Sequence, residues 1–140
     1  MLIASIVVSG CSSTDSKNDY IEAVNEIQVT AIDTFNQTVN ATSGQPDEQA
    51  EQLEAANATY DDVISQLESV EVPEEAQAGH DDLVAGFKEL RAVFEDSVAE
   101  VKKATDPAEA FEAISALGTE GAAVAQNIDQ ALSQIRSDLE

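Results

Sequence analysis

The chain has 140 residues, 43% apolar and 4% aromatic with no Trp, and its 28 acids against six bases give a formal charge of −22. Such a length fits one domain with one core, and the abundance of Ala beside few Gly and Pro favours helix. A field this negative repels nucleic acid and anionic lipid, which argues against any phosphate-binding role, and it attracts cations or a basic partner.

The first element in chain order is an apolar run over residues 2–8 that leads into Ser9-Gly10-Cys11. As a helix it would reach only about 12 Å against a bilayer core of about 30 Å, so it is no transmembrane anchor. Its length is that of a signal-peptide core. Val8-Ser9-Gly10-Cys11 has the form of a bacterial lipobox, an aliphatic residue and two small ones ahead of the Cys that is acylated. Cleavage is then expected between Gly10 and Cys11, where small residues let the peptidase approach the backbone. Cys11 would carry a covalent diacylglycerol or acyl lipid, and no other cofactor is expected. No Lys or Arg precedes the run, which leaves either a start upstream of Met1 or a weak signal. The polar stretch Ser12-Ser13-Thr14-Asp15-Ser16 reads as a flexible tether. The expected organisation is therefore a signal peptide over 1–10, a lipidated tether over 11–17 and a folded domain over 18–140. The single Cys also excludes an intrachain disulfide, a CxxC redox pair and a thiolate cluster.

Three prolines divide the remainder. Pro46, Pro73 and Pro107 each stand at a helix start, with acids in the first turn (Asp47-Glu48, Glu74-Glu75 and Glu109) to meet the positive end of the helix dipole. Asp106-Pro-Ala-Glu109 and Ser16-Lys-Asn-Asp19 have the spacing of capping boxes. Steps of three and four place apolar residues on one helix face in each segment. The first stripe is Tyr20, Val24, Ile27, Ala31, Phe35 and Thr38, widened by Ile21, Ile32 and Val39. The second is Leu53, Ala56, Tyr60, Val63, Leu67 and Val70. The third runs Ala76, His80, Leu83, Phe87, Leu90, Phe94 and Val101. The fourth runs Phe111, Ile114, Gly118, Gly121, Ala125, Ile128, Leu132, Ile135 and Leu139. Short links force neighbours antiparallel, so the predicted fold is all-α, an up-down-up-down four-helix bundle. The second segment carries eight acids and no base and is the most acidic.

Few residues carry candidate chemistry. His80 is the sole histidine and sits on an apolar stripe. A di-iron bundle needs two Glu-x-x-His motifs, whereas residue 77 is Gln and there is no second His. A hydrogen-bonded His at the stripe edge is the expected role, with pH sensing as the functional alternative. Asp15, Asp19 and Glu26 echo a calcium loop, but Lys17 fills a ligand position and Tyr20 stands where the turn needs Gly. The adjacent pairs Asp61-Asp62 and Asp81-Asp82 point in different directions on a helix and form no acid–base pair. No Gly-x-Ser-x-Gly turn presents a nucleophile. Three Asn-x-Thr sequons begin at Asn36, Asn40 and Asn57. Gly118 and Gly121 interrupt the fourth stripe at about 0.8–1.0 kcal/mol each relative to Ala. A hairpin turning near Asp106 would set Phe94 opposite Gly118 and Leu90 opposite Gly121. Either the glycines admit Phe94 in close packing, or Gly118, Gly121, Ala122 and Ala125 floor a pocket for an apolar ligand.

The run Val72-Pro73-Glu-Glu-Ala-Gln-Ala-Gly-His80-Asp-Asp-Leu83-Val84, behind a lipobox, resembles small helical lipoproteins of actinobacteria. The resemblance implies a bundle on the outer face of the membrane and carries no activity with it. Acidity and sequons also suit a haloarchaeal lipoprotein. The function expected is non-enzymatic: an extracytoplasmic lipoprotein, held to the membrane by its lipid, whose bundle binds a basic or helical protein partner or organises the envelope. The rival is a small-ligand- or cation-binding sensor bundle. A contiguous exposed apolar patch would favour the first and a core cavity the second.

Overall fold

The computed structural model describes residues 12–40 and 44–140, which form four long α-helices: α1 (Ser12–Val39), α2 (Pro46–Ser69), α3 (Gln77–Val101) and α4 (Pro107–Leu139). A 3-10 turn over Glu74–Ala76 precedes α3. Short links make successive helices antiparallel neighbours, and the result is an all-α four-helix bundle. Among the described residues no helix is long and apolar enough to cross a membrane.

The prolines open elements as their chemistry requires, Pro46 and Pro107 in the first turns of α2 and α4 and Pro73 ahead of the 3-10 turn. Asp106 Oδ1 accepts from the Ala108 N–H at 2.8 Å and the Glu109 N–H at 3.0 Å, which caps α4. Glu109 reaches back one residue further than a capping box needs, to the Thr105 N–H at 2.7 Å. Ahead of α2, Gly44 takes φ 135°, a region that favours glycine, and the Gln45 N–H donates to Glu48 Oε2 at 3.2 Å.

The start of α1 differs from expectation. The helix begins at Ser12, so the polar segment over 12–17 is helical rather than a flexible tether, and Ser16 lies inside α1 rather than capping it. Asp15 stands in the first turn, where the helix dipole favours an acid. Lys17 then ties the segment to the bundle through Glu75 at 3.3 Å.

Core assignment follows the stripes closely in α2 and α3. Leu53, Ala56, Tyr60, Val63 and Leu67 are buried, as are all seven positions from Ala76 to Val101 on the third stripe. In α4 the buried row is instead Ala110, Ile114, Leu117, Gly121, Val124, Ile128, Ala131 and Ile135. It shares every second position with the predicted stripe, namely Ile114, Gly121, Ile128 and Ile135. The other members shift outward: Phe111 is 46% exposed, and Gly118, Ala125, Leu132 and Leu139 are half-buried. Two apolar columns run side by side on α4, and the one holding Leu117 and Val124 turns into the core. The second column forms the flank that looks toward α1.

A close approach of α3 and α4 comes from residues that pattern reading treats as filler. A Cβ on Gly79 would lie 2.8 Å from Ile135 Cγ1 and 3.1 Å from the Ile135 backbone nitrogen. One on Gly86 would lie 2.8 Å from Ile128 Cγ1. Seven residues apart, these glycines face two isoleucines also seven apart, and they let α4 settle deeply on α3. That contact is the most extensive in the bundle, whereas α1 touches α4 only briefly.

Candidate functional site

Two surface regions hold the residues singled out by sequence: a cleft between α2 and α3 that reaches His80, and a groove between α1 and α4. In the first, helical spacing carries His80 inward to 4% exposure, where Nδ1 lies 3.0 Å from the Tyr20 hydroxyl and Nε2 3.1 Å from the Leu67 carbonyl oxygen. A carbonyl only accepts, so Nε2 carries the proton, and Nδ1 accepts from Tyr20 Oη. One tautomer of the neutral ring satisfies both partners. Burial holds the imidazole below its ordinary value, opposed by the hydrogen bond to Leu67 and by the Asp81 carboxylate. Burial also pushes the Tyr20 phenol up to about 12, so it stays a donor. Outside this trio lies a cleft of about 560 Å³ lined by Glu68, Gln77, Asp81 and Lys88 among others, with Lys88 paired to Glu68 across it at 2.6 Å. His80 thus joins α1, α2 and α3 as a structural link, and neither ring nitrogen is free to bind a ligand.

Beneath the middle of the bundle, Tyr60 donates to the Ala31 carbonyl at 2.9 Å and its ring lies 4.8 Å from that of Phe94. Phe35 meets Phe94 edge-on at 6.2 Å. Phe94 is fully buried in this aromatic layer. It does not fill the space at Gly118, where an added Cβ would meet only Val39 Cγ1 at 4.0 Å. Gly121 is the glycine that yields room, and the ring it admits comes from α1: its Cβ would fall 3.0 Å from Phe35 Cζ and 3.4 Å from Leu90 Cδ1. The expected juxtaposition of Leu90 with Gly121 is therefore present and that of Phe94 with Gly118 is not. The error lies in treating α3 and α4 as an isolated hairpin, since α1 reaches the same column.

Along the α1–α4 seam, Gln28, Ile32 and Phe35 face Gly121, Ala125, Ile128 and Asp129 across a cleft of about 230 Å³, floored by Ala31, Tyr60, Phe87 and Leu90. Near one end a smaller recess of about 50 Å³ lies between Ile21 and Asn25 of α1 and Leu132 and Arg136 of α4. Helical spacing sets Ile21, Asn25, Gln28, Val29, Ile32, Phe35 and Val39 on one flank of α1, and none of these is charged. Three are large apolar chains left in solvent: Ile21 at 38%, Val29 at 58% and Ile32 at 48% exposure. The facing flank of α4 carries Phe111, Gly118, Ala122, Ala125 and Leu132, with Asp129 and Arg136 as its only charges. Gly121 and Ala125 thus do line an apolar recess, although it opens on the surface rather than within the core.

The remaining candidates are placed as follows. Residues 2–8, Gly10, Cys11 and the sequon residue Thr42 lie outside the described residues. Asp15, Asp19 and Glu26 lie along one continuous helix, which cannot wrap a cation as a loop does. Among the described residues no three His, Cys, Asp or Glu side chains gather in a metal-sized cluster. Asp61 pairs with Arg91, and Asp81 accepts from Gln77 Nε2 at 2.9 Å. Asn36 and Asn40 are exposed and Asn57 is half-buried. No family model, curated protein or solved structure matches the chain.

Proposed function

We propose that this chain is a surface lipoprotein, anchored outside the cytoplasm by lipid on Cys11, whose bundle docks another protein rather than catalysing a reaction. The groove between α1 and α4 is the observation that carries the docking reading. A chain with 28 acids keeps an entire flank of α1 free of charge and leaves Ile21, Val29 and Ile32 in water. Scattered exposed apolar residues are ordinary, but a contiguous row beside an apolar cleft marks an interaction surface. The buried polar trio of Tyr20, His80 and Leu67 is satisfied internally, which suits a scaffold.

Small-ligand capture has weaker support. The recess of about 230 Å³ falls below the roughly 300–1,000 Å³ of small-molecule sites. Gln28, Asp129 and Tyr60 are the polar residues along its lining, and the Tyr60 hydroxyl is already bonded to the Ala31 carbonyl, which leaves too few groups to orient a ligand. The anchoring reading rests on the lipobox sequence alone.

Photo-crosslinking in intact cells tests both parts. A photoreactive residue at Ile32 should trap one defined protein, while the same residue at Ser65, on the exposed face of α2, should not. Cys11→Ser should lose the acyl mass and move the chain from the membrane to the soluble fraction. An Ile32 probe that traps nothing beyond the Ser65 background removes the docking reading. Unacylated Cys11 in membrane-derived protein removes the anchor.

A further inference from the structure

We infer that the α1–α4 groove seats a single helix of the partner, one that presents an apolar stripe with a basic flank toward α1. The inference rests on the docking reading and specifies its occupant. Length comes first: from Ile21 to Val39 the groove follows α1 for about 27 Å, or five helical turns. Its floor is apolar and its α4 wall is small at the half-buried Ala125, so a packed rod can approach closely. Both walls are helices whose backbone groups are already bonded internally, so no sheet edge is offered to an extended peptide. An occupant entering such an apolar trough must bring its own backbone satisfied, and a helix does so.

Charge selects the helix. Glu22, Glu26 and Asp33 lie on the shoulder of α1 just outside the uncharged flank, and Asp129 lies beside the groove on α4; all four are exposed. Among the described residues, none of these four takes part in an ion pair. Five of the six bases pair elsewhere: Lys88, Arg91 and Lys102 bridge to α2, Lys103 meets Glu100 just past the end of α3, and Lys17 meets Glu75, while Arg136 shares the α4 flank of the groove with Asp129. An apolar trough with a row of unpaired acids along its α1 side complements Lys or Arg on the matching side of an apolar stripe. A second copy of this chain would bring the same shoulders and another formal −22. An acidic amphipathic helix would be repelled for the same reason.

The test uses full-length acylated protein in neutral detergent and three labelled 18-residue helical peptides read by fluorescence anisotropy. The first has a Leu stripe flanked by Lys, the second replaces each Lys by Glu, and the third keeps the Lys but scrambles the Leu. The first should bind at least tenfold more tightly than the other two. Any acidic protein attracts Lys, so the deciding variants are Ile32→Asp and Val29→Asp, which add negative charge at half-exposed positions where folding tolerates it. Groove binding predicts that each weakens the first peptide about tenfold, whereas charge-only association predicts tighter binding. Glu26→Gln with Asp33→Asn should weaken it several-fold, and the equal charge change Glu48→Gln with Glu51→Gln on α2 should not. Equal binding of the first two peptides, or unaltered or tighter binding to Ile32→Asp, overturns the inference. So does a wild-type dimer in sedimentation that Ile32→Asp dissolves, which would make the occupant a second copy. A partner trapped at Ile32 in cells while the Lys–Leu peptide fails would leave docking standing and remove the basic helix. Failure of both removes both.

Discussion

The seam between α2 and α3 and the seam between α1 and α4 close in different ways. Across the first, Arg91 meets Asp61, Lys88 meets Glu68 and Lys102 meets Glu54, while His80 bonds the Leu67 carbonyl beneath them. Across the second, no ion pair joins the helices among the described residues, and apolar chains stand in solvent instead. The acid content of the helices explains the contrast. On α2 seven acids and no base would repel one another, and three of the chain's six bases lie opposite them on α3 and its C-cap. On α1 the same difficulty is avoided by leaving the groove-side flank uncharged. Pairing suits a seam that is permanently shut, because an exposed ion pair needs its partner held in place. A neutral apolar flank suits a seam that receives something else.

The sharpest way to break this comparison is to overfill each seam. Gly86→Leu places a side chain where a Cβ already falls 2.8 Å from Ile128 Cγ1, on the tight α3–α4 contact. Overpacking there should cost about 1–3 kcal/mol, read from denaturant unfolding at constant slope. Gly118→Leu points toward the open groove, where the nearest atom to a Cβ is Val39 Cγ1 at 4.0 Å. It gains up to about 1 kcal/mol of helix propensity and should leave stability level or raised. Equal losses at both sites would mean that the α1–α4 side is as closely packed as α3–α4.

How much of this was legible in the sequence differs between the two seams. Helix number, the proline-led starts and the whole α3 stripe follow from local chemistry, because proline placement and a three-four apolar period act within one helix. The α4 face was misread by one column, since Phe111, Gly118, Ala125 and Leu132 have the same spacing as Ala110, Leu117, Val124 and Ala131. Only the neighbours decide between two such columns. For the same reason Gly79 and Gly86 escaped notice: on α3 they sit beside the stripe, and their use is apparent only once Ile135 and Ile128 face them. The groove had two legible signs, the small residues Gly121 and Ala125 on α4 and the uncharged flank of α1 from Ile21 to Val39. That flank reads as a widened core stripe until α1 is found to meet α4 only briefly.

His80 offers a probe confined to the closed side. Because burial depresses its folded value below 6.5, the unfolded chain takes up a proton before the folded one does as pH falls. Stability owed to the neutral ring is complete above the unfolded value and is lost as pH falls through it toward the folded value. The carboxylates act in the opposite sense, since acid relieves their mutual repulsion, so the wild-type curve alone would mislead. The quantity to follow is the Tm difference between wild type and His80→Gln, which should favour wild type near pH 7.5 and narrow toward about pH 5.5. A gap that stays constant over that range would show that the ring does not titrate there.

The smallest expected effects come from single surface charges, and their signs carry the comparison. Asp61→Asn removes the partner of Arg91 on the closed seam, so that Arg91 keeps only Glu95, at 3.0 Å, as its acid. Asp33→Asn removes an unpaired acid from the α1 shoulder. Both change the net charge by the same amount, so a uniform surface would respond to both alike. With charge organised as the ion pairs indicate, Asp61→Asn lowers Tm while Asp33→Asn raises it, each by no more than about 2 °C because exposed charges interact weakly through water. Added NaCl should shrink both shifts together, as screening shortens their reach from about 10 Å at 0.1 M to about 3 Å at 1 M. The wild-type Tm should rise over the same range, because repulsion among 28 acids exceeds the attraction of the few pairs. Two rises in the low-salt mutants would mean that the ion pairs on α2 hold nothing in place. Two falls would mean that the α1 shoulder has a partner within the chain, and that its acids are not available to another helix.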